Sequence, residues 1–175
     1  MTKMLILDTD KCAGCRLCEM VCSIKHTNKC NPSRACVHVV KWDEFGFFLP
    51  MRCQQCDDAA CLAVCPRKAI YRNEEQGCVL IDYDKCIGCK ACIIACPFGA
   101  MSYDVALRRV VKCDLCNGDP QCVKFCPMEA IEYIDSSCVN LKKMREAGFK
   151  IANLISALCE NDKNNHNLSK FSKHI

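Results

Sequence analysis

The residues of this chain best suited to chemistry are its cysteines, 21 among 175 residues. Sixteen fall into four quartets: Cys12-x2-Cys15-x2-Cys18-x3-Cys22, Cys53-x2-Cys56-x4-Cys61-x3-Cys65, Cys86-x2-Cys89-x2-Cys92-x3-Cys96 and Cys113-x2-Cys116-x5-Cys122-x3-Cys126. Thiolates in such runs are ligands for soft metals and for iron–sulfur centres. Three closely spaced thiolates let one tight loop wrap one centre, with backbone N–H groups turned toward the sulfurs. The fourth, three residues on, begins a helix and points away, so it reaches a neighbouring centre and each quartet serves two. Proline follows Cys65, Cys96 and Cys126 and turns the chain, because it cannot continue the local hydrogen bonding. Gly14 and Gly88 stand between the first two ligands of their quartets, where the lack of a Cβ lets the loop close.

The first and third quartets have the spacing of a bacterial 4Fe–4S ferredoxin. Zinc is the competing reading, since Cys-x2-Cys pairs also build ribbons and knuckles. Zinc sites, however, pair two such units without a third ligand two residues on. Four quartets in succession, three ending in Cys-Pro, favour iron–sulfur over zinc and over a disulfide framework. Cys30, Cys36, Cys78, Cys138 and Cys159 are left over; each is expected to be a small buried hydrophobe. A Cys30–Cys36 pair carries little weight in a reducing compartment.

The elements that must hold these loops repeat along the chain. Asp8-Thr9-Asp10-Lys11-Cys12-Ala13-Gly14-Cys15-Arg16 matches Asp82-Tyr83-Asp84-Lys85-Cys86-Ile87-Gly88-Cys89-Lys90, a displacement of 82 − 8 = 74. Pro66-Arg67-Lys68-Ala69-Ile70, Pro97-Phe98-Gly99-Ala100-Met101 and Pro127-Met128-Glu129-Ala130-Ile131 end three quartets alike, and each is expected to open a short strand. Met4-Leu5-Ile6-Leu7 and Val79-Leu80-Ile81 read as strands entering a ligand loop. The predicted fold is α+β: two ferredoxin-like 4Fe–4S modules in tandem, with an inserted β-hairpin and a C-terminal helix.

Composition narrows the rest. Half the residues are apolar (51%) and a quarter charged (25%), which excludes a disordered or low-complexity chain. The longest apolar run, Cys92 to Met101, contains Pro97 and is far short of the roughly 18 residues a membrane span needs. Met1 to Asp8 resembles no secretory leader, so a cytoplasmic location is expected, although a subunit can be exported bound to a partner. The formal charge of +4 counts cysteines as neutral. Four clusters adding roughly −2 each would give 4 − 8 = −4, so the basicity does not argue for nucleic acid.

The four quartets, with x4 and x5 in the second and fourth, resemble those of the four-cluster electron-transfer subunits of multisubunit oxidoreductases: the iron–sulfur subunits of dimethyl sulfoxide reductase, formate dehydrogenase and related enzymes. The likeness covers roughly residues 3 to 135. Narrower phrases are Gly14 to His26, Val39 to Trp42 with Leu49 to Cys56, and Val111 to Cys122. They are similar to the small subunits of tungsten aldehyde oxidoreductase-type enzymes of anaerobes, a group that includes the ATP-independent benzoyl-coenzyme A reductase assembly.

The resemblance implies four 4Fe–4S clusters. Cys12, Cys15 and Cys18 would be completed by Cys126; Cys113, Cys116 and Cys122 by Cys22; Cys53, Cys56 and Cys61 by Cys96; Cys86, Cys89 and Cys92 by Cys65. Quartets one and four would form one module (1–22 plus 102–138), and quartets two and three the other (53–101). One departure is Ser23, which stands where the proline should follow Cys22. The implied activity is electron relay without catalysis. The implied partner is a large catalytic subunit carrying a tungsten or molybdenum pterin, with a flavin subunit, a ferredoxin or another cluster protein as the second contact. A hydrogenase, formate dehydrogenase or dimethyl sulfoxide reductase-type complex, or a free polyferredoxin, are the alternatives.

Residues 23–52 form an insertion, in which 36–51 read as a hairpin bearing Trp42, Phe45, Phe47 and Phe48. Its apolar face either packs on the cluster core or docks a partner. Residues 139–160 read as a helix, with Leu141, Met144, Ile151, Ile155 and Leu158 near the helical period; it either covers a module or clasps the partner. Residues 161–175 read as a loose tail. Arg16, Lys90, Arg108 and Arg109 lie near ligand loops, either solvated or raising cluster potentials. His26, His38, His166 and His174 have no ligand spacing and no obvious partner. No nucleotide fingerprint or nucleophile–base arrangement occurs, so no residue is expected to be catalytic.

Overall fold

The computed structural model describes residues 3–163. In chain order the elements are β1 (Lys3–Leu7), α1 (Leu17–Thr27), β2 (Val37–Trp42), β3 (Phe47–Arg52), α2 (Ala60–Ala63), β4 (Ile70–Asn73), β5 (Cys78–Ile81), α3 (Ala91–Ala95), β6 (Met101–Asp104), β7 (Arg109–Lys112), α4 (Gln121–Lys124), β8 (Ile131–Asp135) and α5 (Ser136–Lys163). They form two compact units, divided between Asp135 and Ser136. The architecture is the expected mixture of short helices and strands.

The strands of the first unit make four antiparallel two-stranded ribbons: β1 with β8, β2 with β3, β4 with β5, and β6 with β7. The β1–β8 ribbon aligns Leu5 with Tyr133 and Leu7 with Ile131, tying the chain before the first quartet to the chain after the fourth. The Ala-Ile/Met phrases do open strands: β4 begins at Ile70, β6 at Met101 and β8 at Ile131. Short ribbons are marginal alone in water, and here they gain stability by packing around the cysteine loops.

Two apolar clusters result. One gathers Leu5, Cys18, Cys22, Ala35, Cys36, Val37, Val39, Cys78, Leu115, Cys122 and Ile131. The other gathers Ala59, Ile70, Val79, Cys92, Met101 and Val110, with Cys56, Cys61, Cys65 and Cys96 against it. Cysteines of quartets one and four therefore lie in one core, and those of quartets two and three in the other. Helix packing repeats this division, α1 against α4 and α2 against α3.

The inserted hairpin is β2–β3, turned through Asp43–Phe45 and Gly46. Val37 and Val39 enter the first core and Phe48 packs against it, whereas Trp42, Phe45 and Phe47 are exposed. The predicted aromatic cluster thus divides between core and surface, as alternation along a strand requires. Asn31 to Ala35 is pinned at both ends. The Ser23 hydroxyl accepts the Asn31 N–H at 3.0 Å, and Arg34 pairs with the buried Asp104 carboxylate at 2.7 Å. Ser23, where proline was expected, is therefore the anchor of the insertion.

The second unit is α5, which begins at Ser136 and runs to Lys163, longer at both ends than the predicted 139–160. Leu141, Met144, Ile151 and Ile155 lie along it. Of the predicted tail, residues 164–175, with His166 and His174, lie outside the described residues, as does the side chain of Cys159. The expectation of five buried spare thiols needs correction: Cys36 and Cys78 are buried, but Cys30 and Cys138 are exposed. Cys30 and Cys36 are both free thiols.

Candidate metal centre

Each ligand loop closes through backbone in the left-handed region. Gly14 and Gly88 have φ of 64° and 67°, and Arg16 and Lys90, just before α1 and α3, have φ of 62° and 65°. This kink after the second cysteine aims the third inward from the first turn of a helix, so Cys18 and Cys92 are buried while Cys15 and Cys89 are exposed. Gly14 has a second constraint: a Cβ there would meet the Phe48 ring at 2.6 Å, whereas one at Gly88 would meet nothing within 4 Å.

The quartets meet as follows. One cavity is lined by Cys12, Cys15, Cys18 and Cys126. A second is lined by Cys86, Cys89, Cys92 and Cys65. A third is lined by Cys53, Cys56, Cys61 and Cys96. In each, three thiols come from one quartet and the fourth from another. Cys113, Cys116, Cys122 and Cys22 also gather: the other three thiols all act on Cys122.

The fourth cysteine of each quartet receives a backbone N–H. Ala69 donates to Cys65 Sγ at 3.2 Å, Ala100 to Cys96 Sγ at 3.4 Å and Ala130 to Cys126 Sγ at 3.3 Å. Lys68, Gly99 and Glu129, all at positive φ, make these turns. Cys22 has no following proline turn, and its N–H comes from Cys36 in the insertion, at 3.2 Å.

The thiols are tuned by their surroundings. Burial pushes Cys18 up to about 12, with the Glu19 carboxylate adding to the effect. Burial likewise holds Cys113 and Cys122 at about 12. Cys22 is drawn down to about 5, first by the Cys36 thiol and then, against burial, by His26. Of this pair Cys22 is the thiolate, and Cys36, raised by that bond, keeps its proton. His26 corrects the expectation of no partner: its Nε2 lies 3.5 Å from Asp114 and 3.9 Å from Cys116 Sγ. Hydrogen bonds to Cys116 and Cys22 push it up to about 10.

Other polar groups support the loops from positions that spacing does not single out. Glu19, fully buried, accepts the Val39 N–H at 2.6 Å and the Arg16 guanidinium at 2.9 Å. Gln55 donates to Cys113 O at 2.9 Å and accepts the Val79 N–H at 2.8 Å. Arg52 and Lys112 are buried, each immediately before the first cysteine of its quartet. That matched placement was the available signal. Of the predicted tuning cations, Lys90 lies over Tyr103 and Arg109 over Tyr83, both at 4.2 Å, and Arg16 pairs with Glu19.

The donor set fits iron–sulfur clusters. Four thiols surround each cavity, N–H groups are directed at sulfur, and no carboxylate or imidazole lines any of the three cavities.

Comparison with known proteins gives the same chemistry. Residues 44–136 match the family described as 4Fe-4S dicluster domain, and residues 9–24 match a 4Fe-4S binding domain. The chain is 38% identical over 122 residues, 70% of each protein, to the aliphatic sulfonate oxidoreductase, polyferredoxin-like subunit, of Pyrococcus furiosus. It is 35% identical over 162 residues to the electron transport protein HydN of Escherichia coli (strain K12), covering 77% of this chain and 89% of that one. Among solved structures, a chain of the active site complex BamBC of benzoyl coenzyme A reductase aligns with 30% identity and a TM-score of 0.47, over 75% of each chain.

Proposed function

Because the chain belongs to the 4Fe–4S dicluster domain family, we propose that it is the non-catalytic electron-transfer subunit of an oxidoreductase complex, holding four 4Fe–4S clusters in two ferredoxin-like modules. The observation that carries this reading is the set of three cavities, each lined by three thiols of one quartet and the last thiol of another. The sixteen cysteines are assigned as iron ligands: Cys12, Cys15, Cys18 with Cys126; Cys113, Cys116, Cys122 with Cys22; Cys53, Cys56, Cys61 with Cys96; and Cys86, Cys89, Cys92 with Cys65. Each bound cluster would supply one centre that takes up and releases a single electron.

The protein's own groups arrange the route. Cys18 acts on Cys122, Cys53 on Cys113, and Cys61 on Cys92, which supports the site order one, four, two, three by quartet. Cys15 and Cys89 are exposed at the two ends, while Cys22, Cys53 and Cys122 are buried between them. A relay needs that pattern, with surface access at each end and insulation within.

The partner at one end would be a large subunit with a tungsten or molybdenum pterin, of the aldehyde oxidoreductase type. A flavin subunit, a ferredoxin or another cluster protein would take the other end. A relative named as a subunit of an oxidoreductase supports a complex over a free shuttle. The hairpin aromatics Trp42, Phe45 and Phe47 and the helix α5 are the proposed contacts, since neither carries a cluster ligand. Among the described residues no helix is long and apolar enough to cross a membrane, and the many free thiols suit the reducing cytoplasm.

Anaerobic isolation tests this. About 16 iron and 16 sulfide per chain are expected from four cubanes, together with a tungsten-containing large subunit in the native complex. Stoichiometric zinc, or iron near half that amount, overturns the four-cluster reading. A hydrogenase or dimethyl sulfoxide reductase-type partner overturns only the tungsten assignment, and elution of the chain alone favours a free polyferredoxin. In Cys126→Ser, damage confined to the Cys12–Cys15–Cys18 cluster is expected; loss of the Cys113 cluster alone contradicts the ligand exchange.

A further inference from the structure

Arg52 and Lys112 are the two buried cations among the described residues, 4% and 5% exposed. A buried cation is ordinarily paired with an anion, because desolvated charge is costly. Among the described residues no carboxylate pairs with either. Arg52 donates from Nη1 to Cys53 O at 2.9 Å and from Nη2 to Leu5 O, and its buried Nε has no acceptor. Lys112 donates to Cys113 O at 2.7 Å and to Val79 O, with Gln55 Oε1 at 3.5 Å. Carbonyl oxygens accept from the other donors but leave the charge uncompensated.

The ligand loops lie directly against them: Arg52 bonds the carbonyl of Cys53 and Lys112 that of Cys113, which places one buried cation at the first ligand of each inner site. By contrast, the Arg16 side chain near the first cavity is 53% exposed and already paired with Glu19, so solvent screens it.

We propose that Arg52 and Lys112 are internal counter-ions of the two inner clusters, and that they raise the reduction potentials of those clusters relative to the two outer ones. Reduction adds negative charge to a cluster, and a cation in a weakly screened interior favours the reduced form. Arg52 stands at the Cys53–Cys56–Cys61–Cys96 site, and Lys112 at the Cys113–Cys116–Cys122–Cys22 site. Both act as positioning charges and neither ligates iron.

The inference rests on the four-cluster reading, and wild-type iron content tests that reading separately. The experiment is a redox titration, followed by electron paramagnetic resonance, of the iron-loaded full chain as wild type, Arg52→Gln, Arg52→Lys and Lys112→Gln. In each Gln variant, one or two of the four midpoints should fall by at least a tenfold change in the oxidised-to-reduced ratio, about 59 mV for a one-electron couple. Arg52→Lys should stay near wild type. With all clusters present, four unmoved midpoints, or four moving together, overturn the proposal. If Arg52→Gln fails to hold iron, Arg52→Lys decides: iron retained there supports the charge, and iron lost there shows that guanidinium shape is what matters and overturns it.

Discussion

The backbone N–H of Cys36 points at Sγ of Cys22 across 3.2 Å. It gives Cys22 what Ala69, Ala100 and Ala130 give Cys65, Cys96 and Cys126 through a Cys-Pro turn. The insertion that breaks the repeat therefore restores, from fourteen residues away, the one hydrogen bond that the missing turn would have made.

That relationship predicts a division between two substitutions. Cys36→Ala keeps the N–H and should retain about 16 iron per chain, whereas Cys36→Pro removes it and should lose one cluster, leaving about 12. The count is made by iron analysis of anaerobically purified protein. Equal iron in both variants would show that the N–H is dispensable.

The two loop glycines should not be equivalent. Alanine at either must hold a positive φ, near 64° or 67°, which costs about 1–2 kcal/mol. At Gly14 the new methyl also meets the Phe48 ring at 2.6 Å. Gly14→Ala should thus destabilise the iron-loaded protein to chemical denaturation more than Gly88→Ala does, and Phe48→Leu should recover part of the difference. Matching denaturation midpoints for the two alanine variants would contradict the steric account.

What the sequence disclosed is local. The quartets, the strand openings at Ile70, Met101 and Ile131, and the hairpin are set by spacings of a few residues, and they could be read from spacing alone. What it hid is long-range. Glu19 meets Val39 twenty residues on, Lys112 reaches Val79 across 33 residues, and Arg52 reaches Leu5 across 47. A charged side chain in isolation reads as solvent-facing, so only the folded loops reveal these three as interior. The spare cysteines mislead for the same reason, because burial of Cys36 and exposure of Cys30 depend on how the insertion is pinned by Ser23 and Arg34.

Glu19 gives a third test. Its carboxylate holds the Val39 N–H of β2 and the Arg16 guanidinium. Glu19→Ala strands a buried N–H, at a cost of about 1–3 kcal/mol. Glu19→Gln keeps an acceptor and should cost less. The ordering Ala worse than Gln, measured on the iron-loaded protein by denaturant, is the expected result; equal costs would mean that the Arg16 pair, lost in both, dominates.

The last prediction concerns iron removal and pH. The thiols fill positions that an apolar core would otherwise occupy, so iron binding supplies folding free energy directly. The iron-free chain should accordingly show no cooperative thermal transition by circular dichroism. Its proton balance fixes the sign of the pH effect. Burial raises Cys18, Cys113 and Cys122 from 9.0 to about 12, and unfolding would return them only to about 9. In either case these three thiols carry protons between about pH 6 and 8 whenever iron is absent. In the iron-loaded chain the same thiols are proton-free ligands, so iron loss takes up protons and acid favours it. Iron lost to a chelator should increase steadily from about pH 8 down to 6. Chelator-driven loss that is flat across that range would show that proton-bearing thiols are not what iron displaces.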